Sequence, residues 1–183
     1  VIFQPAEEGL GGGREMVEDG MMERFGIEEV YGMHNWPGLP VGAFAIRTGP
    51  FFAAADLFDI VVEGKGGHAA KPQETIDTTL IAAQLVVALQ SIASRNADPV
   101  EQVVVSVTSF QTDTTAHNVI PGRVHLKGTV RTMSEAARDM AETRLKALAN
   151  GTATAFGGQA EVHYHRNYPV TVNAPAQTDF ARE

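Results

Sequence analysis

The stretch from Asp56 to Arg166 carries strand and helix patterns in an order that few folds accommodate. Alternating apolar residues predict strands, and apolar residues at helical spacing predict helices between them. The strands are predicted at 57–63, 103–110, 124–132 and 159–166, and the helices at 75–93 and from an N-cap at Ser134 to about Asn150. The order βαββαβ predicts a ferredoxin-like fold, an antiparallel sheet with both helices on one face.

The first 53 residues follow a different pattern. Short apolar runs at 1–3 and 30–33 predict parallel strands that are buried on both faces, with a helix near 14–19 between them. Such a unit belongs to an α/β domain, whose loops after the strands bind ligands. We therefore expect 1–53 to be part of an α/β domain, 54–168 a complete second domain, and 169–183 a segment returning to the first. Both ends of the chain suggest a piece of a longer protein.

The composition narrows the possible partners. The chain has 22 acidic and 14 basic residues and a formal net charge of −8, which argues against nucleic acid or an anionic membrane as partner. It contains no cysteine, so a disulfide scaffold and a cysteine nucleophile are excluded in this stretch. No run of 18 apolar residues predicts a membrane-spanning helix. These features are compatible with the cytoplasm.

The predicted helix at 75–93 is apolar on more than one side. One stripe at helical spacing consists of Ile76, Leu80, Ala83 and Val87, and further apolar residues outside it are Ile81, Leu85, Val86 and Leu89. A helix that is apolar all round is buried or lies in an interface. The pattern is therefore compatible with a dimer interface and equally with a merely large core.

Two adjacent carboxylates, Glu7 and Glu8, follow the first predicted strand. Neighbouring residues in extended backbone point in opposite directions, so one carboxylate can ligate a metal while the other serves as general base. The alternative is a pair of solvated acids near a helix N-terminus, where negative charge is favoured. His34 follows the next predicted strand, and imidazole with carboxylate suits zinc, manganese, cobalt or nickel. A lone loop histidine is also commonly structural or solvated.

Three residues of the second domain are candidates for contact with a substrate. His68 follows Gly66 and Gly67, which allow close approach of the backbone to a ligand, and it could donate a hydrogen bond to an oxyanion or be a surface histidine. Asn118 could bind a carboxylate or carbonyl, or stabilise a turn. Arg131 could hold a carboxylate through two hydrogen bonds, or lie on a strand surface.

Five ordered motifs together resemble one known family. The chain resembles the aminoacylase-like metallopeptidases, in the branch of hippurate hydrolase and indole-3-acetyl-amino-acid hydrolase, over essentially its whole length. The motifs are Gln4-Pro5-Ala6-Glu7-Glu8-Gly9, Gly32-Met33-His34-Asn35-Trp36-Pro37-Gly38-Leu39-Pro40-Val41-Gly42, Gly64-Lys65-Gly66-Gly67-His68-Ala69-Ala70, Ala116-His117-Asn118-Val119-Ile120-Pro121-Gly122 and Gly128-Thr129-Val130-Arg131-Thr132.

The resemblance implies a role for each candidate residue. Glu7 would be the general base, and Glu8 and His34 would be metal ligands. His68 would stabilise the tetrahedral intermediate, in its own site or in that of a partner subunit. The remaining two, Asn118 and Arg131, would bind substrate. Residues 1–53 would then be part of a catalytic α/β domain of the zinc-peptidase type, and 54–168 its lid and dimerisation domain.

The resemblance also implies cofactors and partners. We expect a metal-dependent amidohydrolase, a cytoplasmic homodimer formed through the lid, which cleaves N-acyl amino acids or small peptides with two divalent ions of zinc, manganese, cobalt or nickel. In this branch a Cys and a His ligand precede the stretch that corresponds to this chain, and a distal His ligand follows it. A catalytic zinc usually has three protein ligands, so this stretch alone is expected to bind metal weakly or not at all and to be inactive.

Two other functions would make different demands on the sequence. A non-catalytic dimerisation or small-ligand-binding module would explain the βαββαβ part, because a fold does not fix a function. It would leave Glu7, Glu8 and His34 without a role. RNA binding through the same sheet needs stacking aromatic residues and a basic surface, whereas the predicted strands at 103–110 and 124–132 carry one aromatic residue, Phe110, and the chain is acidic.

Overall fold

A four-stranded antiparallel sheet lies at the centre of residues 45–183 in a computed structural model of the protein, which describes residues 1–7, 9 and 11–183. The strands in chain order are β1 (Gly49–Phe52), β2 (Ala54–Glu63), β3 (Gly67–His68), β4 (Val103–Thr112), β5 (Val119–Ile120), β6 (Arg123–Thr132), β7 (Gln159–Arg166) and β8 (Thr171–Asn173). The large sheet has the order β4-β6-β2-β7, and two small sheets pair β1 with β8 and β3 with β5.

Two long helices cover one face of the large sheet. The helices are α1 (Gly12–Glu18), α2 (Met21–Phe25), α3 (Thr78–Leu89), α4 (Glu135–Ala155) and α5 (Pro175–Phe180). Helices α3 and α4 contact each other, and both contact β2 and β6. From β2 to β7 the major elements therefore follow the order βαββαβ, with β2 and β6 as the central strands. No helix among the described residues has the length and apolar character needed to cross a membrane.

The core lies between the sheet and these helices because the central strands alternate strictly. Alternate residues of β2 and β6 are buried, and α3 and α4 supply the facing side chains; the largest members are Phe58, Ile60, Ile81, Leu85, Leu89, Leu126 and Leu145. Gly128 sits in β6 opposite Phe58. A Cβ atom at Gly128 would overlap the Phe58 ring and the Ser106 carbonyl, so glycine is required for this packing.

A buried ion pair joins the sheet to α4. Asp56 in β2 accepts hydrogen bonds from Arg138 at 2.6 and 2.9 Å, from the Tyr164 hydroxyl at 3.0 Å and from the Asn167 N–H at 3.2 Å. Asp56 and Arg138 are 1% and 5% exposed. Burial by itself would raise the pKa of Asp56, but the hydrogen bonds from Arg138 and Tyr164 and the charge of Arg138 together lower it. Burial, with the Asp56 charge beside it, raises the pKa of Tyr164.

The main apolar stripe of α3 faces away from the core, and the opposite face of the helix is buried. Ile81, Leu85 and Leu89 are fully buried, whereas Leu80 and Val87 of that stripe are 46% and 69% exposed. The helix is also shorter than the predicted 75–93, because Asp77 caps it by accepting from the Leu80 N–H at 3.0 Å. A 3-10 turn precedes it and a π-helical turn at Ile92–Asn96 follows it.

The two strands predicted at 1–3 and 30–33 are wrong for the described structure. Both segments are irregular, and Val1, Phe3 and Met33 are largely exposed. A parallel strand is stabilised by backbone partners on neighbouring strands, and no described segment pairs with either run. Helix α1 lies close to the predicted 14–19.

The chain divides into two units, Val1–Phe44 and Ala45–Glu183. The division falls before the expected boundary at 53/54, because β1 pairs with β8 and so joins residues 49–52 to residues 171–173. The Asn173 side chain adds a hydrogen bond to the Arg47 carbonyl at 2.9 Å. The segment after residue 168 therefore packs with residues that directly precede β2.

Candidate active site

The fold brings His68 and Asn118 together through the small sheet of β3 and β5. His68 pairs with Val119, and Gly67 pairs with Ile120. Directly beside this ladder, the Ala69 N–H donates to the Asn118 carbonyl at 2.9 Å. Both side chains are exposed. The backbone segments that carry these two candidate residues are therefore adjacent.

A hydrogen bond from the backbone favours one tautomer of a neutral His68 ring. The Ala70 N–H donates to His68 Nδ1 at 3.1 Å, so Nδ1 acts as an acceptor. In a neutral imidazole the proton then resides on Nε2, because the nitrogen that accepts a hydrogen bond carries no proton. The exposed His68 side chain is thus arranged to donate from Nε2 to an external oxygen, which is the role that an oxyanion requires.

Glycines allow the backbone segments around His68 to approach closely. A Cβ atom at Gly66 would lie 2.8 Å from the Ile120 carbonyl oxygen and 2.9 Å from the Gly122 nitrogen. One at Gly64 would lie 2.5 Å from the Ile76 carbonyl oxygen. The Gly64 N–H also donates to the Gly122 carbonyl at 3.1 Å. The glycine-rich motif therefore serves close backbone packing here.

Arg131 lies at the other end of the sheet. It pairs with Ala55 and Val104, and its Nη1 donates to Thr129 Oγ1 at 2.6 Å. At roughly 3.3 Å per residue, β6 carries Arg131 about 26 Å from its first residue, Arg123. Strand β5 ends three residues before Arg123, so His68 and Asn118 lie near the Arg123 end of β6. Within one chain, Arg131 at the opposite end of β6 is therefore not part of the group formed by His68 and Asn118.

The first unit contains two of the predicted residues in described positions. Glu7 is exposed in a turn, and His34 is exposed, with its Nδ1 2.6 Å from the Asn35 carbonyl oxygen. The His34 and Trp36 rings meet edge to face, 6.1 Å apart. Glu8, the other predicted ligand, lies outside the described residues.

The available donors match a divalent cation in kind but not in number. Imidazole and carboxylate suit zinc and its neighbours, yet a catalytic zinc takes three protein ligands. Within residues 1–7, 9 and 11–183, no group of three or more His, Asp or Glu side chains could hold a metal. The described residues therefore do not form a complete metal site.

Some features of the site depend on contacts that sequence reasoning did not identify. The hydrogen bond to His68 Nδ1 has a backbone donor, the Ala70 N–H, and forms only in the folded loop, so residue types alone could not reveal it. A second contact of this kind is the hydrogen bond from the buried Thr78 hydroxyl to the loop that carries Asn118. A threonine directly after a helix cap was the one visible signal.

The chain is similar in sequence to a known family and to several of its members. The sequence pattern that defines "Peptidase family M20/M25/M40" matches residues 1–183. The chain is 41% identical over 172 residues to N-acetylcysteine deacetylase of Bacillus subtilis, covering 94% of the chain and 44% of that relative. It is 39% identical over 183 residues to hippurate hydrolase of Campylobacter jejuni, covering 100% of the chain and 48% of that relative. The chain thus spans about half the length of the curated relatives it matches.

Solved structures agree with the sequence comparison. The crystal structure of a protein from methicillin resistant Staphylococcus aureus superposes on this chain with a TM-score of 0.89 at 31% identity. The match covers 98% of this chain and 47% of that one. A dinuclear metal binding peptidase from the M20 family of Bacillus subtilis superposes with a TM-score of 0.76 at 35% identity, covering 98% of this chain and 44% of that one.

Proposed function

The chain belongs to peptidase family M20/M25/M40, and from that membership we propose that it is part of a metal-dependent amidohydrolase acting on N-acyl amino acids or small peptides. Relatives of similar identity carry the names hippurate hydrolase, N-acyl-L-amino acid amidohydrolase and thermostable carboxypeptidase. Each name describes hydrolysis of an amide bond. The observation that supports the proposal is the pairing of the His68 strand with the Asn118 segment, which brings together the backbone of two residues that we propose as oxyanion donor and substrate-binding amide.

The proposed reaction uses the chain's own residues for proton transfer and charge stabilisation. Glu7 accepts the proton of the attacking water and later delivers it to the leaving amine, as a general base and acid. His68 donates from Nε2 to the carbonyl oxygen as negative charge develops there. Asn118 binds the substrate carboxylate or carbonyl, and Arg131 binds a carboxylate.

A divalent cation would polarise the scissile carbonyl and make the water more acidic. Glu8 and His34 are the residues of this chain that we propose as ligands, and the remaining ligands of a two-ion site would come from outside residues 1–183. The Bacillus subtilis structure is described as dinuclear metal binding, which supports a metal in the family. We further propose zinc, manganese, cobalt or nickel as the metal, and the cytoplasm as the compartment.

We propose that residues 54–168 are a ferredoxin-like lid that also dimerises. Strand β4 is at an edge of the sheet, and its ten residues include no charged side chain and no proline. Edge strands of natural proteins usually carry charged residues or proline, which prevent another chain from pairing with them. Helix α3 is also uncharged, and exposed apolar side chains lie on both elements, namely Leu80, Val87, Val104 and Phe110. A second copy would cover this surface.

An antiparallel pairing of β4 with β4 of the partner subunit would also bring Arg131 to the proposed substrate site. It would place the Val103 end of one strand beside the Thr112 end of the other, because antiparallel strands run in opposite directions. Arg131 belongs to the Val103 end, and His68 and Asn118 lie towards the Thr112 end. We therefore propose that each site combines Arg131 of one subunit with the partner subunit's His68 and the partner subunit's Asn118.

Hydrolysis by the whole protein tests the proposed function. The purified protein would be assayed with hippurate, N-acetyl amino acids and dipeptides, before and after chelation, and after addition of zinc, manganese, cobalt or nickel. We expect hydrolysis that disappears on chelation and returns with at least one metal. A folded, metal-loaded protein that hydrolyses no amide in this panel would contradict the proposal and favour a non-catalytic dimerisation or ligand-binding module.

A further inference from the structure

A threonine below the surface connects the Asn118 loop to helix α3. Thr78 is the first residue of α3 and is fully buried. Its hydroxyl donates to the Pro121 carbonyl at 2.8 Å, across 43 residues of sequence. Pro121 directly follows β5, which pairs with the strand that carries His68. The hydroxyl therefore binds the far end of the segment that presents Asn118.

The surroundings of Thr78 leave little freedom for a substitute interaction. Its Cγ2 would lie 2.8 Å from a Cβ atom at Gly64, so the His68 loop passes directly over the threonine. Lys65 and Ile76 exchange backbone hydrogen bonds of 3.1 and 2.9 Å immediately beside it. The loops of His68 and Asn118 thus both meet the first turn of α3 at this residue.

We infer that Thr78 is a positioning residue, which holds the Pro121 carbonyl on α3 and thereby fixes the Asn118 amide relative to the His68 imidazole. The inference rests on the proposed function, in which both side chains contact the substrate. Loss of the hydroxyl would leave the Pro121 carbonyl without its buried donor, and β5 would shift to reach another donor or water. A displacement of about 1 Å can lower the rate on the order of 100-fold.

The test compares variants of Thr78 in the whole protein by kcat and KM for a hydrolysed N-acyl amino acid. Thr78→Val keeps the shape and removes the hydroxyl, and we expect kcat/KM to fall about 10- to 100-fold. Thr78→Ser retains the hydroxyl and should remain within about threefold of the parent. Thr178→Val is the matched control, because Thr178 is 2% exposed and its hydroxyl donates to the Ala174 carbonyl at 2.7 Å, away from both loops.

A double-mutant cycle separates positioning from general stability. If Thr78 acts through the Asn118 segment, Thr78→Val should have less than about a twofold effect once Asn118→Ala has removed the amide. An equal effect in both backgrounds, or parental activity of Thr78→Val, would overturn the inference. All assays would be run where circular dichroism shows each variant folded.

Two further outcomes are decisive. Thr78→Ala also lacks the hydroxyl and leaves room for water, so it replaces Thr78→Val if that variant does not fold. Failure of both to fold would assign Thr78 to stability alone and overturn the inference. Full activity of Asn118→Ala contradicts the proposed function, whereas an impaired Asn118→Ala with a fully active Thr78→Val overturns only the role of Thr78.

Discussion

The backbone N–H of Ala70 donates to Nδ1 of His68 at 3.1 Å, which leaves Nε2 of a neutral His68 as the proton-bearing nitrogen. The side chain is exposed and lies beside the Asn118 segment. His68 thereby differs from the histidines on the open face of the large sheet. His163, for example, lies 3.3 Å from the Glu161 carboxylate.

We predict that His68→Ala lowers kcat of the whole protein by roughly 100- to 1,000-fold, as loss of an oxyanion donor does elsewhere. KM should change much less, because the hydrogen bond strengthens as charge develops in the transition state. Steady-state kinetics on an N-acyl amino acid measure both constants. His163→Ala is the matched control and should retain parental activity; a His68→Ala enzyme with parental kcat would refute the role.

The buried pair of Asp56 and Arg138 predicts a large stability effect. Asp56→Ala leaves the Arg138 guanidinium buried without its carboxylate, and we expect a loss of about 3–5 kcal/mol in free energy of unfolding. Glu63→Gln is the control on the same strand, because Glu63 pairs with Arg123 at the surface and should lose at most about 1 kcal/mol. Urea denaturation of the chain compares them. Equal losses would contradict the importance of burial.

The same pair predicts a defined pH dependence. The pKa of Asp56 is lowered in the folded chain, so the folded state binds its proton less readily than the unfolded state. The stability that the charged Asp56 contributes is fully present above the unfolded pKa of about 4. It declines as the pH falls towards the folded pKa. The acid loss of stability should therefore be shallower in Asp56→Asn than in the parent.

How much of this was visible in the sequence depends on how local each interaction is. Strand β7 spans the predicted 159–166, and the N-cap at Ser134 is confirmed by its 3.1 Å hydrogen bond from the Ala137 N–H, because both arise from short-range patterns. The face that α3 buries could not be chosen from the sequence, since an uncharged helix with apolar residues all round gives no polar side to orient it. The approach of His68 to Asn118 depends on pairing across about 50 residues, which motifs alone do not reveal.

Two glycines predict opposite effects of the same substitution. Gly128→Ala should destabilise the chain severely, because the added methyl group overlaps the Phe58 ring and the Ser106 carbonyl. Gly151 lies within α4 with open space around its Cβ position. There, alanine should stabilise by about 0.5–1 kcal/mol, since it favours helix more than glycine does. Thermal unfolding measures both, and a Gly128→Ala chain as stable as the parent would contradict the packing.

The exposed side of α3 predicts an effect on assembly. Val87→Glu places a charge on the exposed apolar side of α3 within the proposed interface and should shift the chain from twice 19.6 kDa to 19.6 kDa in sedimentation. Asn150→Glu, on the exposed side of α4, is the control and should leave the mass unchanged. A parent chain that is monomeric at high concentration would contradict the dimer.

The most direct test of the account is the turnover of Glu7→Gln in the whole protein, with its metal content measured in parallel. Glutamine keeps the size of the side chain but cannot accept the proton of the attacking water. We predict that metal content is retained and that kcat falls about 100- to 10,000-fold, while Glu28→Gln, at another exposed glutamate of the first unit, stays at the parental rate. Near-parental turnover by Glu7→Gln would contradict the proposed mechanism.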